Sequence, residues 1–179
     1  MNFMKSAVKE MLVWIFYFLI AFILAKLIVT YVGQRTQVSG SSMETTLSNG
    51  DNLIVDKVSY HFSAPQRFDI IIFPYSENTQ MTYIKRIIGL PGETIQIDKL
   101  GNIYINGELL NENYGSDIIK DPGIAENPIT LGEDEYFVLG DNRNNSMDSR
   151  FSSVGNIKRE NIIGNAKLRI YPFSAIKWL

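Results

Sequence analysis

The sequence predicts an N-terminal transmembrane helix followed by a mostly antiparallel β domain, a folded sheet or partly closed barrel. Three observations predict this class. The run from Met11 to Val32, MLVWIFYFLIAFILAKLIVTYV, is 22 residues long and holds a single charge. After Gly33 the pattern changes to short β-rich runs separated by turn chemistry. No convincing helical period in that part exceeds two turns.

The apolar run comes first. As a helix rising about 1.5 Å per residue it reaches roughly 33 Å, enough for a hydrocarbon core of about 30 Å. It has no polar face, which a core helix of a small soluble domain would show. Lys26 stands near its outer end, where the stem can carry the amine toward the headgroups. A cleaved leader has an apolar core of about 7–15 residues followed by a small-x-small site; here Tyr31 and Gly33 would fill the two key positions. The run therefore reads as a retained anchor. Lys5 and Lys9 favour a cytoplasmic N-terminus, with Glu10 and Arg35 weakening the bias. The expected organisation is a cytoplasmic segment 1–10, a span 11–32, and the rest outside the plasma membrane, on its surface.

The strands follow. NLIVDKV, FDIIIFPY, TYIKRII, ETIQID, NIYINGELL, EYFVLG and NIIGNAKLRIYPF are broken by NGD, LPGE, KLGN, DPG and GDNRNNS, which fits antiparallel β structure. Residues 93–135 carry ten carboxylates against Lys99 and Lys120. Their hairpin IDKLGNIYINGE and the loop-like NYGSDIIKDPGIAENP read as a small β insertion. The catalytic core is then 33–92 with 136–179.

Composition narrows the function. A net charge of -2 and a pI near 5.5 give no basic footprint for nucleic acid. With no cysteine and one histidine, His61, neither a thiolate nucleophile nor a His-based metal cluster can form, and no loop has a calcium-hand spacing. The charge is split: residues 1–32 carry net +2 and the remainder net -4, which suggests two different solvents.

Three stretches are more polar than their surroundings require: SGSSMETTL (residues 39–47), YIKRIIGLPGE around Lys85, and LGDNRNNSMDSR ending at Arg150. Each alone could be a linker, an exposed strand or a turn. Together they raise a chemical question. A serine hydroxyl is a weak nucleophile at neutral pH and needs a base. His61, in VSYHFSAPQRF, has no carboxylate signature beside it and reads as a surface or partly packed residue. A lysine serves if burial lowers its pKa from about 10.4, and Lys85 lies between Ile84 and the Ile87–Ile88 pair, which can dry it.

The pair SM with TL downstream, then YIKRIIGLPGE, then GDNRNNSMDSR, behind one N-terminal span and in this order, closely resembles the bacterial type I signal peptidases. The likeness runs nearly the whole chain, to the terminal YPFSAIKWL. The single span and short external domain look like the Gram-positive form.

That resemblance implies a membrane-anchored serine endopeptidase that removes signal peptides from secretory preproteins by a Ser-Lys dyad, without cofactor or metal. Ser42 is then the nucleophile and Lys85 the general base. Ser146 matches the hydroxyl that holds the lysine amine, Asp148 and Arg150 match a supporting ion pair, and Asp141 with Arg86 matches a second. The Ser42 backbone N–H supplies one oxyanion donor, the other coming from Gly40 or Ser41. Val38, Met43, Leu47, Tyr83 and Ile84 wall shallow pockets for small residues at the first and third positions before the cut. The substrate lies extended along the strand of Lys85, and activity rises with pH through the lysine's pKa.

One departure stands out. The family usually reads Ser-Met-x-Pro-Thr-Leu, and Thr45 takes the proline's place; the expectation is an active enzyme with a looser pocket. Phe173 and Trp178 suit either a membrane interface or packing on the core. Two rivals remain: a self-cleaving Ser-Lys protein of the LexA kind, disfavoured by the apolar run and by the lack of a DNA-binding helix pair, and a non-catalytic tethered β domain that binds exported chains.

Overall fold

The computed structural model describes residues 2–27, 33–75, 78–115 and 117–179. The apolar run forms α1 (Asn2–Leu27). Within it Val8–Lys26 has a mean hydropathy of 2.1 and none of it is buried by the rest of the chain. Lipid is the solvent such a surface requires. The helix starts ahead of the expected span because MKSAVKE continues the same backbone, although it is too polar to cross. Residues 28–32, the end of the expected span, lie outside the described residues.

Among the described residues twelve strands follow, every paired neighbour antiparallel. The main sheet comprises β1 (Gly33–Gln37), β2 (Asn52–Asp56), β3 (Ile70–Tyr75), β4 (Asn78–Gly89), β9 (Glu135–Leu139), β10 (Ile157–Lys158), β11 (Gly164–Tyr171) and β12 (Lys177–Trp178). Its order is β1-β2-β11-β3-β4-β9-β10, with β12 beside β11. Because β1 and β10 end that order, the sheet is open rather than a closed barrel. The single-turn helix α2 (Ser59–Phe62) carries His61, which is exposed to solvent.

The second sheet holds β5 (Thr94–Ile97), β6 (Ile103–Ile105), β7 (Glu108–Leu109) and β8 (Ile129–Thr130), in the order β7-β6-β5-β8. All four come from the acidic stretch 93–135. Their alternate residues Ile95, Ile97, Ile103 and Ile105 share one core with Ile88 of β4 and with Phe137 and Leu139 of β9, as a half-buried strand with period two must. Gly89 permits this contact: a Cβ there would fall 2.6 Å from Ile95 and 2.9 Å from Leu131.

Two further cores support the main sheet. One packs Ile71, Phe73, Ile87, Tyr136 and Val138 between β3, β4 and β9. The other packs Val38, Met43 and Leu47 on Leu53, Ile70 and Ala166. The second of these lies under the serine-rich turn.

Candidate active site

The serine-rich segment is the connection of the β1–β2 hairpin. Register puts Gln37 opposite Asn52, and the neck of the loop closes with Val38 N–H donating to Asp51 O at 2.8 Å and Gly50 N–H to Val38 O at 2.9 Å. Met43 and Leu47 are 2% and 0% exposed, spaced four apart in a turn whose Leu47 N–H donates to Met43 O. Burying two such side chains is worth about 1.5–3 kcal/mol each, which fixes the turn from beneath. Arg169 of β11 ties its far end, donating to Thr46 O at 3.2 Å and Asp51 Oδ2 at 3.0 Å. The Glu44–Thr45 peptide in the turn is cis.

Above this base sits Ser42. Lys85 of β4 donates from Nζ to Ser42 Oγ at 2.7 Å and to the carbonyl of Ile84 at 3.0 Å. The lysine is 3% exposed. Burial pushes its pKa down to about 8, against the opposing pull of the Asp148 and Asp141 charges, because a dry site disfavours the ammonium. Its amine also lies 5.0 Å from the centre of the Tyr83 ring, which is stacked on Tyr75. A buried amine that is half neutral near pH 8 and touches a serine hydroxyl is a serviceable nucleophile–base pair.

The supporting groups lie close by. Arg86 grips Asp141 through both guanidinium ends, Nε to Oδ1 at 2.9 Å and Nη2 to Oδ2 at 2.7 Å, with side chains 4% and 1% exposed. Arg150 holds Asp148 in the same two-pronged way, at 2.8 and 2.9 Å. Asp148 accepts from Gly140 N–H as well. A Cβ on Gly140 would collide with Ser146 Oγ and lie 2.5 Å from Ser42 O, so only glycine lets these loops close on each other.

Ser146 therefore stands beside Ser42, but the expected hold of its hydroxyl on the lysine amine is not made: its Oγ is buried without a hydrogen-bond partner among the described residues, and the lysine's bonds go to Ser42 and Ile84. Gly40, at φ +96°, donates its N–H to Asn49 Oδ1. Ser41 Oγ accepts from Asn145. Among the described residues the Ser42 N–H forms no hydrogen bond.

A cleft of about 410 Å³ opens over Ser42 and Lys85, and Val38, Met43, Tyr83 and Ile84 line it. Leu47 does not: with 0% exposure it is part of the core behind Met43, so its expected place in the pocket wall gives way to a packing role. Met81, about half exposed on β4, and Met147 line the cleft in its stead. The cleft runs between two strand edges. β1 is paired only with β2, and β9 joins β4 only from Arg86 onward. Residues 81–85 thus present an edge with no strand partner among the described residues.

Sequence reasoning missed two groups of residues. Asn142 and Asn145 stitch the two loops together: Asn142 N–H donates to Ser42 O at 3.0 Å, its amide to Ser41 O at 3.1 Å, and the Asn145 amide to Ser41 Oγ at 2.9 Å. Their signal was the repeated asparagine inside GDNRNNS. Glu112 and Tyr114 of the insertion are the second group, and no local pattern marks them.

Comparison with known proteins shows what the chain is similar to. A family described as signal peptidase, peptidase S26, matches residues 11–171. A probable signal peptidase I-2 of Synechocystis is 41% identical over 157 residues, covering 85% of this chain and 69% of its own. A signal peptidase I of Leptolyngbya laminosa is 43% identical over 161 residues, covering 86% and 76%. Signal peptidase I P of Bacillus subtilis subsp. natto is 36% identical over 180 residues, covering 97% and 96%.

Proposed function

The chain belongs to the signal peptidase family, peptidase S26, and from that premise we propose that its work, removing signal peptides from secretory preproteins as a serine endopeptidase, is carried by Ser42 and Lys85. The observation that supports this assignment is the 2.7 Å contact between Lys85 Nζ and Ser42 Oγ in a water-poor site.

The neutral Lys85 amine takes the Ser42 proton as Oγ attacks the carbonyl that ends the signal peptide. The resulting ammonium protonates the leaving amine, and the same nitrogen then activates the water that hydrolyses the acyl-enzyme. Negative charge on the tetrahedral oxygen meets the Ser42 N–H, which has no competing partner among the described residues. Once Ser42 is esterified its oxygen is a poorer partner for the amine. We assign the task of holding Lys85 at that stage to the Ser146 hydroxyl, which is buried and without a partner among the described residues.

The preprotein lies extended in the cleft and adds main-chain hydrogen bonds to the open edge of β4. Val38, Met43, Tyr83 and Ile84 leave room for alanine-sized side chains at the first and third positions before the cut. α1 anchors the protein in the plasma membrane with residues 1–10 cytoplasmic. The β core of 33–92 and 136–179 and the insertion 93–135 lie outside, where signal-peptide cleavage sites emerge. Phe173 and Trp178, 77% and 72% exposed, face the lipid interface, since the alternative of packing on the core is not what their exposure suggests.

The test is cleavage of a purified preprotein by the detergent-solubilised wild type, Ser42→Ala and Lys85→Ala, with folding checked by circular dichroism. Both variants should lose activity by about 10⁴-fold or more while remaining folded. Retained activity in Ser42→Ala would move the nucleophile to Ser41 or Ser39. Bulky residues at the first or third position before the cut should abolish cleavage of a peptide that is processed with alanines there.

A further inference from the structure

Beyond the dyad and its two ion pairs, the acidic insertion is fastened to the loop that braces the nucleophile, and by an unusual set of contacts. Glu112 forms a 2.7 Å ion pair with Arg143, their side chains 9% and 3% exposed. Burial works against this carboxylate, yet the hydrogen bond and charge of Arg143 hold its pKa below the ordinary value. Two residues on, the Tyr114 ring covers the Arg86 guanidinium at 3.8 Å and leans on Phe68 at 5.0 Å. Gly115 lies so close that a Cβ would sit 2.9 Å from the Arg143 guanidinium carbon.

The same segment continues the grip. Asn144 donates to Ile118 O at 3.0 Å and accepts from Lys120 N–H at 3.0 Å. Arg150 donates to Asp121 O at 3.1 Å, and Ile124 N–H donates to Arg150 O at 2.9 Å. Apart from Phe68, every core-side partner named for this segment is Arg86 or a residue of the loop 140–150.

That loop in turn fixes the nucleophile. Arg143 Nε donates to Gly140 O at 3.2 Å, Arg86 clamps Asp141, and Asn142 N–H donates to Ser42 O. A continuous path of contacts, its two arginines buried and its ends half-buried, therefore runs from Glu112 and Tyr114, through Arg143 and Arg86, to the peptide group of Ser42. We propose that residues 112–115 of the insertion are a positioning strap for the catalytic serine, with Glu112 acting through Arg143 and Tyr114 acting through Arg86.

None of the strap residues 112–115 is among those that line the cleft over Ser42. Its loss should change the rate of chemistry and leave substrate binding alone. This inference rests on the Ser42–Lys85 reading, and the controls keep the two apart.

The experiment compares full-length, detergent-solubilised wild type, Glu112→Gln, Tyr114→Leu, Tyr114→Phe and Ser42→Ala on one preprotein. Assays run well below each variant's melting temperature. Glu112→Gln and Tyr114→Leu should lower kcat roughly tenfold at unchanged KM, a fraction of the hundredfold that a 1 Å misplacement of reacting groups can cost. Tyr114→Phe keeps the ring over Arg86 and should restore most of the rate. In the two impaired variants, amide hydrogen exchange should quicken at Asn142 while the β1–β2 amides keep their protection.

Wild-type kcat in folded Glu112→Gln and Tyr114→Leu, with Ser42→Ala inactive, would overturn the strap and leave the dyad standing. An active Ser42→Ala would overturn the dyad itself. Should Glu112→Gln fail to fold, the Tyr114→Leu and Tyr114→Phe pair decides: equal rates in the two refute the strap, and a loss confined to leucine supports it.

Discussion

Lys85 and Arg86 are consecutive residues of β4 and both are buried cations, 3% and 4% exposed, yet their surroundings differ in kind. Arg86 is met by the Asp141 carboxylate at two points, by the Phe68 carbonyl at 2.8 Å, and by the Tyr114 ring. Lys85 is met by one hydroxyl, one carbonyl and, at 5.0 Å, the Tyr83 ring, with no carboxylate in contact among the described residues. The carboxylates whose charge acts on it, Asp148 and Asp141, are engaged by Arg150 and Arg86. A guanidinium stays charged, so burying it demands a partner; an ammonium has the option of releasing its proton. The fold supplies carboxylates to the one cation that cannot neutralise and withholds direct contact from the one that can, and this difference leaves Lys85 with a pKa of about 8.

The most severe way to break the contrast is Lys85→Arg, which keeps the charge and removes the option. It should abolish processing by about 10⁴-fold or more at every pH. Under the proposed mechanism the active form is the neutral amine, so the wild type should show kcat/KM rising between pH 6 and 10 with its midpoint near 8. A rate profile flat across that range would dismiss lysine as the base.

The converse break is Arg86→Ala, which leaves Asp141 charged and alone in the interior. Removing one member of a buried pair costs about 3–5 kcal/mol, measurable by urea denaturation. Arg86→Met combined with Asp141→Leu should cost less than the single change, because no charge is then stranded. If the single and double variants lose the same stability, the pair is not acting as the buried couple described here.

Lys85→Met sharpens the comparison from the other side. In the unfolded chain Lys85 takes its ordinary pKa of 10.5, and in the folded protein about 8. Below pH 8 folding therefore carries the full cost of a disfavoured ammonium. The cost fades as pH climbs from 8 to 10.5 and is absent above it. Lys85→Met should be more stable than the wild type by about 1–3 kcal/mol at pH 7, each pKa unit being worth about 1.4 kcal/mol less the lost hydrogen bonds. The advantage should vanish near pH 10.5. A variant equally stable at both pH values would show that the lysine is not desolvated in the folded state.

Much of this was legible in the sequence, and for identifiable reasons. The long β runs announced themselves because half-buried strands repeat every two residues, whereas β1, β8, β10 and β12 escaped: GQRTQ is too polar, and the others span only two residues. The meeting of Ser42 with Lys85 and the Arg86–Asp141 and Asp148–Arg150 ion pairs were readable because the residues lie in short contiguous stretches. Leu47 was misplaced because a leucine four after Met43 serves a pocket wall or a core equally well on paper, and only the turn's geometry turns it inward. Glu112 and Tyr114 were invisible because their partners are reached only by folding, at Arg143 and Arg86.

The smallest expected effect concerns Thr45, where the chain departs from the usual proline of its family. Thr45 is solvent-exposed, and among the described residues its N–H forms no hydrogen bond, the turn being closed instead by Glu44 N–H to Ser41 O and Leu47 N–H to Met43 O. Proline there removes no bond that the fold uses. It also narrows the unfolded chain, an effect worth about 0.4–1 kcal/mol where the native backbone accepts the ring. Ser42 is held by Met43 and Leu47 from beneath and by Asn142 from the side, contacts that residue 45 does not share. Thr45→Pro should therefore raise the melting temperature slightly and leave kcat within about twofold of wild type, since nothing in the path from Asn142 to Ser42 has moved. Loss of cleavage in a folded Thr45→Pro protein would mean that the turn must flex during catalysis, and that the rigid support traced here from core to nucleophile is not what sets the rate.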